Sequence, residues 1–436
     1  MTDRMRTTRL VPVALLLVLT TAITLSQEAV SQDDRQSGHT FTVTEQDGIR
    51  LARSSAEPKY AVELFHYDPV CELQADERPE SIVGRPDVLF FDEAGRCYVI
   101  DHSRGGGAIA VFSPEGCYLH RIGGPGQEGP GEFRTPLITD IRGGMIQVWD
   151  TSQNRLTRFT TAGALHDIVT LTDEGAAFTI TWANHVAADR IVTFHNHVVF
   201  REDRQWIQGR VSVVTPALDT LANVTMPELR GARLVDQRDA AGRIIRFPAG
   251  TPFTTRHIFA WSPHHGIMIT TGAEPELRFH TLDGRHHLTV RIDLSPEPVT
   301  RQDRRDYEAP LRERLETSAG IQSETYRRRI DALEYPEYKS YWGSQYLSPV
   351  EFDGSGFIWI RIPAANEHGT TYEEGFTHLL LSPEGEFLGR TRRPPGFTRI
   401  QFGFVGALCE DIESGEQHLR VYRPVPVVAG LKWPGE

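Results

Sequence analysis

Between residues 88 and 169 apolar and polar positions alternate in short runs, and one order of runs occurs twice. VLFFDEAGRCYVID and AIAVFSPEGCYLHRI fall within Val88–Ile122, and LITDIRGGMIQVWDTSQNRLTRFTTAGALHDIV spans Leu137–Val169. Each copy reads as a strand, a Gly-bearing turn, a strand ending in Asp, a polar turn, a strand ending in Phe, a second Gly-bearing turn and an outer strand. Gly95 and Asp101 recur 49 residues on as Gly144 and Asp150, and Phe112 and Gly116 recur 47 residues on as Phe159 and Gly163. A four-stranded unit at this period predicts a β-propeller blade. One blade cannot bury both of its faces, so the copies must stack in a ring.

The pattern continues along the chain. Residues 258–292 (IFAWSPHHGIMITT, then LRFHTLDGRHHLTVRI) and 350–391 (VEFDGSGFIWIRI, then HLLLSPEGEFLGRT) repeat the strand order and the Gly hairpin before the outer strand. Residues 178–227 form a weaker copy, and 402–424 supply only three strands. The missing outer strand is expected from Tyr60–Phe65, so that the two termini close the ring and remove its open edges. The expectation is an all-β fold, a six-bladed β-propeller over residues 41–430. Residues 299–334 break the alternation. Thr300 and Asp303 have capping-box spacing, Leu311 and Leu315 share a helical face, and Gly320 ends the run. Ser323 caps a second helix. The result is a helical hairpin inserted between the fourth and fifth blades, either a lid, a partner surface or a packed decoration.

Composition adds limits. The 39% hydrophobic content suits a globular chain, and a net charge of -12 without a basic stripe argues against a nucleic-acid partner. Arg4, Arg6 and Arg9 precede the 16-residue apolar stretch Leu10–Leu25. That is an export signal with a cut after Ser31 or Ser26, which leaves no membrane span in the mature chain and places it in the periplasm or outside the cell. Export permits disulfides. Cys97 and Cys117 sit on strands separated by a third, beyond bonding reach, whereas Cys71 and Cys409 both lie near the ring closure and could staple it or remain buried thiols.

The segments RIGGPGQEGPGEFRTP (121–136) and VWDTSQNRLTRF (148–159) resemble NHL-type repeats. The mature chain resembles the exported bacterial six-bladed β-propeller group, including a G-x-x-W-x-R strand at Gly356, Trp359 and Arg361. It departs from the repeat at Arg104–Gly107 and in the third blade. The resemblance carries no reaction with it. The repeat residues have structural readings: Asp101 and Asp150 accept backbone N–H groups at strand ends, and Asn154 takes a left-handed turn. Arg155 lies over aromatics and pairs with a carboxylate, Gly129 and Gly131 allow a tight crossing, and Phe133 plugs the space between blades.

Catalytic propellers of the lactonase and lyase classes hold calcium or zinc in the channel. The innermost strands here start near Asp87, Pro136, Phe178, His257, Tyr346 and Phe402, so the starts offer one acid and one imidazole. Asp87 and His257 are therefore the channel-mouth candidates for ligand binding. His195 and His197 share one strand face and are the metal candidates. No catalytic residue stands out. The favoured expectation is a non-catalytic module that binds a peptide, glycan or protein and needs no cofactor. The alternative is a metal-dependent hydrolase or lyase. N-terminal sequencing of protein exported from a bacterial host is expected to begin at Gln32 or Gln27, and a product that retains Met1 would contradict the cleavable signal.

Overall fold

The computed structural model describes residues 38–436 apart from 104–106, 127–128, 172–178, 239–242, 343–348, 363–375, 411–416, 432 and 434–436. The signal segment, most of the Arg104–Gly107 turn and the strand starts at Phe178 and Tyr346 lie outside the described residues. The described chain is predominantly β, organised in sheets that succeed one another along the sequence. Sheet 1 holds Pro86–Phe91, Cys97–Asp101, Ala108–Phe112 and Tyr118–Ile122, and sheet 2 holds Pro136–Arg142, Met145–Asp150, Arg155–Thr160 and Leu165–Thr170. Sheet 3 runs from Thr179–Ala187 to Thr220–Thr225, sheet 4 from Ile258–Ser262 to His286–Ile292, sheet 5 from Val350–Phe352 to Phe387–Arg392, and sheet 6 begins at Phe397–Gln401.

The apolar positions of the sequence repeat are buried between sheets, not inside them. Sheets 1 and 2 share Phe90, Ile100, Ile138 and Val148, and sheets 2 and 3 share Trp149, Leu156, Ile180 and Ile191. Phe259 of sheet 4 packs on Trp182 and Phe194 of sheet 3, with ring centroids 4.8 and 5.3 Å apart. Sheets 4 and 5 share Met268, Val290, Ile358 and Leu379, sheets 5 and 6 share Trp359, Leu380 and Val405, and sheets 6 and 1 share Leu89, Val99 and Val421. Each sheet thus packs on the next, and the sixth returns to the first. Burial on both faces explains why the second and third strands of sheet 1 read as nearly continuous apolar runs.

One expectation for the closure needs correction. The outer strand of sheet 6 is Phe65–Glu72, antiparallel to Gln417–Pro426, and not Tyr60–Phe65. Lys59 and Tyr60 donate backbone N–H bonds to Phe387 and Leu388 on the outer strand of sheet 5. Earlier still, Ile49–Ser54 pairs in parallel with His286–Ile292, adding a hairpin with Phe41–Gln46 to sheet 4. The N-terminal segment is therefore a belt over the outer edges of sheets 4, 5 and 6. Cys71 and Cys409 are not bonded, and all four cysteines are free. Strand Gln417–Pro426 stands between the strands that carry them, so the geometry that keeps Cys97 from Cys117 also keeps these two apart.

Sheet 3 departs from the repeat because its central hairpin is long. Strands Arg190–Arg201 and Arg204–Val214 run past the sheet, and the extension pairs with a further hairpin, Leu229–Arg238 with Ile244–Pro248. Helices α1 (Arg301–Thr317) and α2 (Ile321–Asp331) separate sheets 4 and 5. Thr300 caps α1 in a full capping box with Asp303, as their spacing predicts. The second helix starts earlier than expected, with Gly320 at its N-cap and Ser323 inside it. Tyr307 and Leu311 are buried, and Arg204 of the long hairpin bonds Glu334 at 2.6 Å.

In sheets 1 and 5 the turn between the first two strands is built on a buried Asp. Asp92 accepts from the Ala94 and Arg96 amides and the Tyr98 hydroxyl, and Asp353 accepts from the Ser355 and Phe357 amides and the Trp359 indole. Gly95 and Gly356 complete these turns at φ 79° and 87°. Burial pushes the Asp353 carboxyl up to about 6 against the pull of those hydrogen bonds. The folded state then retains a proton that the unfolded chain releases at its ordinary pKa of about 4. This contribution to stability is complete below about pH 4 and is lost as the pH rises through about 6. In urea melts, the stability of wild type relative to Asp353→Asn should fall by about 1–3 kcal/mol between about pH 4 and pH 7. A difference independent of pH would contradict it.

Candidate functional site

The first strands of the sheets contact one another around an axis: sheet 2 touches those of sheets 1 and 3, and sheet 5 those of sheets 4 and 6. Each sheet turns its two faces to its neighbours, so its first strand borders the axis with its edge and with the side chains beside that edge. There they line a cavity of about 980 Å³. Thr139 and Asp140 come from sheet 2, Thr181 and Trp182 from sheet 3, Glu351 from sheet 5 and Arg399 from sheet 6. At one end Tyr307 of α1, Arg329 of α2 and Arg230 of the sheet 3 extension add to the wall. The helical hairpin is thus part of the cavity's boundary.

Charge in the cavity exceeds what the strand starts indicate. Five arginines and three carboxylates line it, although the whole chain carries -12. Asp140 follows a bulge at Ile138/Asp140 and lies 3.8 Å from the Arg142 guanidinium. Burial pushes the Asp140 carboxyl up, while Arg142 and Asn184 pull it down. Glu351 accepts from Arg393 at 2.9 Å and faces the Ile400 amide at 3.4 Å. Arg393 is fully buried; its guanidinium lies 4.9 Å from the Trp359 ring centroid, and Nε and Nη2 have no hydrogen-bond partner. Among the described residues Glu351 is therefore the sole carboxylate in contact with this buried cation. Arg399 stacks on Phe90 at 4.0 Å from the centroid.

The expected site residues are dispersed. His257 lines the cavity, but its ring is a clamp: Nε2 donates to the Pro227 carbonyl at 2.7 Å and Nδ1 faces the Asn196 amide at 3.4 Å. The ring lies on Gly209, where an added Cβ would come within 2.6 Å of it. Burial pulls the His257 pKa down. Asp87 stands outside the lining, 3.5 Å from His102. His195 is buried with Nε2 2.6 Å from the Thr193 hydroxyl, and His197, two residues on, is half-buried. Among the described residues no group of three or more His, Cys, Asp or Glu side chains is placed to hold a metal ion.

The repeat residues stitch sheets to their connections. Asp101 accepts from the Arg85 and Ser103 amides and meets Arg121 at 3.1 Å, and Asp150 accepts from the Arg134, Thr135, Ser152 and Gln153 amides. Asn154 sits at φ 49° and Gly131 at φ 77°. The Gly129 amide donates to Glu132, and Phe133 is fully buried with an edge contact to Phe159 at 5.8 Å. Arg155 departs from its expected carboxylate pairing and donates to the Glu132 backbone carbonyl.

No family model matches the chain, and no curated protein matches it in sequence. Among solved structures it is similar to a candidate exported protein from Bacteroides fragilis, at 10% identity and TM-score 0.48, over 86% of this chain and 99% of that one. It is also similar to a streptogramin B lyase (10% identity, TM-score 0.35, 83% and 98% covered) and to a calcium-binding regucalcin from Agrobacterium tumefaciens (12%, 0.31, 84% and 96%).

The Glu351–Arg393 pair sets an asymmetric expectation. Glu351→Ala leaves a buried cation without its counter-charge and should destabilise by about 3 kcal/mol. Arg393→Met fills the same volume with an apolar chain and leaves Glu351 free to hydrate in the cavity, so its cost should be well under half as large. Equal losses in chemical denaturation would contradict this account.

Proposed function

We propose that the protein is an exported six-bladed β-propeller of the NHL-repeat kind that acts as a non-catalytic binding module. The propeller spans residues 41–430, is preceded by a signal removed after Ser31 or Ser26, and carries 299–334 as a helical insertion between its fourth and fifth blades. The ligand is a peptide, glycan or protein segment that enters the channel. One observation carries the reading: an axial cavity of about 980 Å³, at the upper end of the usual size of ligand sites, with aromatic walls at Trp182, Phe352 and Phe402 and a small set of charged groups. The two helices border this cavity, which favours a role for them at its mouth. The repeat residues serve the scaffold. Among the described residues no three His, Cys, Asp or Glu side chains are grouped as a zinc site needs, which favours the binding reading over a zinc-dependent one.

A thermal-shift panel of neutral and acidic oligosaccharides and peptides tests this. At least one ligand should raise the unfolding temperature, by about 3 kcal/mol of added stability at 100-fold excess over Kd. Thr255 lies in the cavity wall on a loop, and Thr255→Trp should abolish the shift by filling the mouth. A panel without a binder, or a shift unchanged in the variant, would contradict channel binding.

A further inference from the structure

Each carboxylate at the axis already has a cation or a hydrogen-bonded turn of its own. Glu351 is paired with Arg393 at 2.9 Å, Asp140 lies 3.8 Å from Arg142, and Asp353 is held by the amides of its own turn. Two lining arginines are left over among the described residues, Arg329 on α2 and Arg399 on the first strand of sheet 6, and Arg399 is the one that stacks on an aromatic ring. Among the described residues it makes no hydrogen bond and no ion pair, although it lines the cavity and stacks on Phe90. Burial pulls its pKa down and the more distant Glu351, Asp140 and Asp87 push it up; a guanidinium stays protonated in either case. Stacking covers one face of the planar group and fixes its orientation. The N–H edge remains, in a fork that matches two oxygens of one planar anion.

The surroundings select among anions. Glu351, Asp140 and Asp87 act on Arg399 electrostatically and, of the cations, Arg393 does, so a dianion would meet more acids than cations around the guanidinium. A singly charged, planar carboxylate fits both the charge and the fork. We propose that Arg399 anchors a carboxylate subsite in the channel, so that the ligand is an acidic sugar or an acidic peptide held by its carboxylate. The proposal rests on the channel-binding reading and adds the chemical class that the channel selects.

Titration calorimetry with four probes tests it: tri-galacturonate, a blocked Glu-Gly-Glu peptide, inorganic phosphate and neutral galactotriose. One of the two carboxylate probes should bind wild type at one site per chain, and which one does identifies the source of the acid. Arg399→Met should weaken that binding about 30-fold, and Arg399→Lys, which keeps the charge and loses the fork, about 10-fold. The thermal unfolding of each variant checks its fold, and the Lys variant carries the test if the Met variant is unstable. Phosphate preferred over both carboxylate probes would overturn the assignment. So would carboxylate binding unchanged in both variants, or the absence of any carboxylate binding at about 10 mM. Galactotriose binding that Thr255→Trp abolishes, without any carboxylate binding, would leave the channel reading intact and remove this one. A panel in which nothing binds removes both.

Discussion

The structure depends on closing a ring with strands that are far apart in the chain. Sheet 6 lacks an outer strand until Phe65–Glu72 pairs with Gln417–Pro426. Without it, the edge of that sheet would present unpaired N–H and C=O groups, and the apolar seam to sheet 1 would lose Cys71 from its border. The closure is fastened at several points. Glu72 meets His418 at 2.8 Å and Arg420 at 3.2 Å, the Leu73 amide reaches Leu419, and the Gln74 amide reaches Gly116 of sheet 1. Exposed ion pairs of this kind add little. Most of the stabilisation comes from the strand ladder and from Phe65, which stacks on Trp359 at 5.6 Å and edges onto Trp433 at 4.8 Å.

The closed ring fixes the first strand of each sheet near the axis, and the channel follows from that. A polar group on these strands faces a confined volume, where an unmatched charge is expensive. The pairs Glu351–Arg393 and Asp140–Arg142 respond to this constraint. Among the described residues Arg399 does not have such a partner, and its aromatic support on Phe90 holds it ready for one. The cavity thus pairs its acids and, among the described residues, leaves Arg399 and Arg329 over, with α1 and α2 contributing to its wall.

Local chemistry was legible in the sequence and long-range pairing was not. Gly95, Gly116, Gly144 and Gly163 all adopt positive φ where the repeat places its turns. The Thr300–Asp303 spacing located the helix start to the residue. The belt was missed because no local pattern records that Ile49–Ser54 joins the edge of sheet 4 in parallel, more than 230 residues away. The same blindness put the closing strand at Tyr60–Phe65 and left the bonding of Cys71 and Cys409 open: both lie near the seam, but an intervening strand decides which groups touch. The channel was misjudged for a different reason. Only the first residue of each inner strand was weighed, yet Asp140, Glu351 and Arg399 lie further along. A charged residue inside an apolar inner strand has the axis as its outlet, and that signal was present in LITDIR, VEF and FTRIQ.

Native-state hydrogen exchange tests the ring most directly. If closure by the N-terminal belt holds the fold together, the amides of Phe65–Glu72 and Gln417–Pro426 that bond across the ladder should exchange by the same global opening as those of Cys97–Asp101. Their protection should fall in step with that central strand as denaturant is added. Exchange of Phe65–Glu72 through a separate, low-energy opening, with Cys97–Asp101 still fully protected, would show that the ring stands without its clasp and would contradict the account.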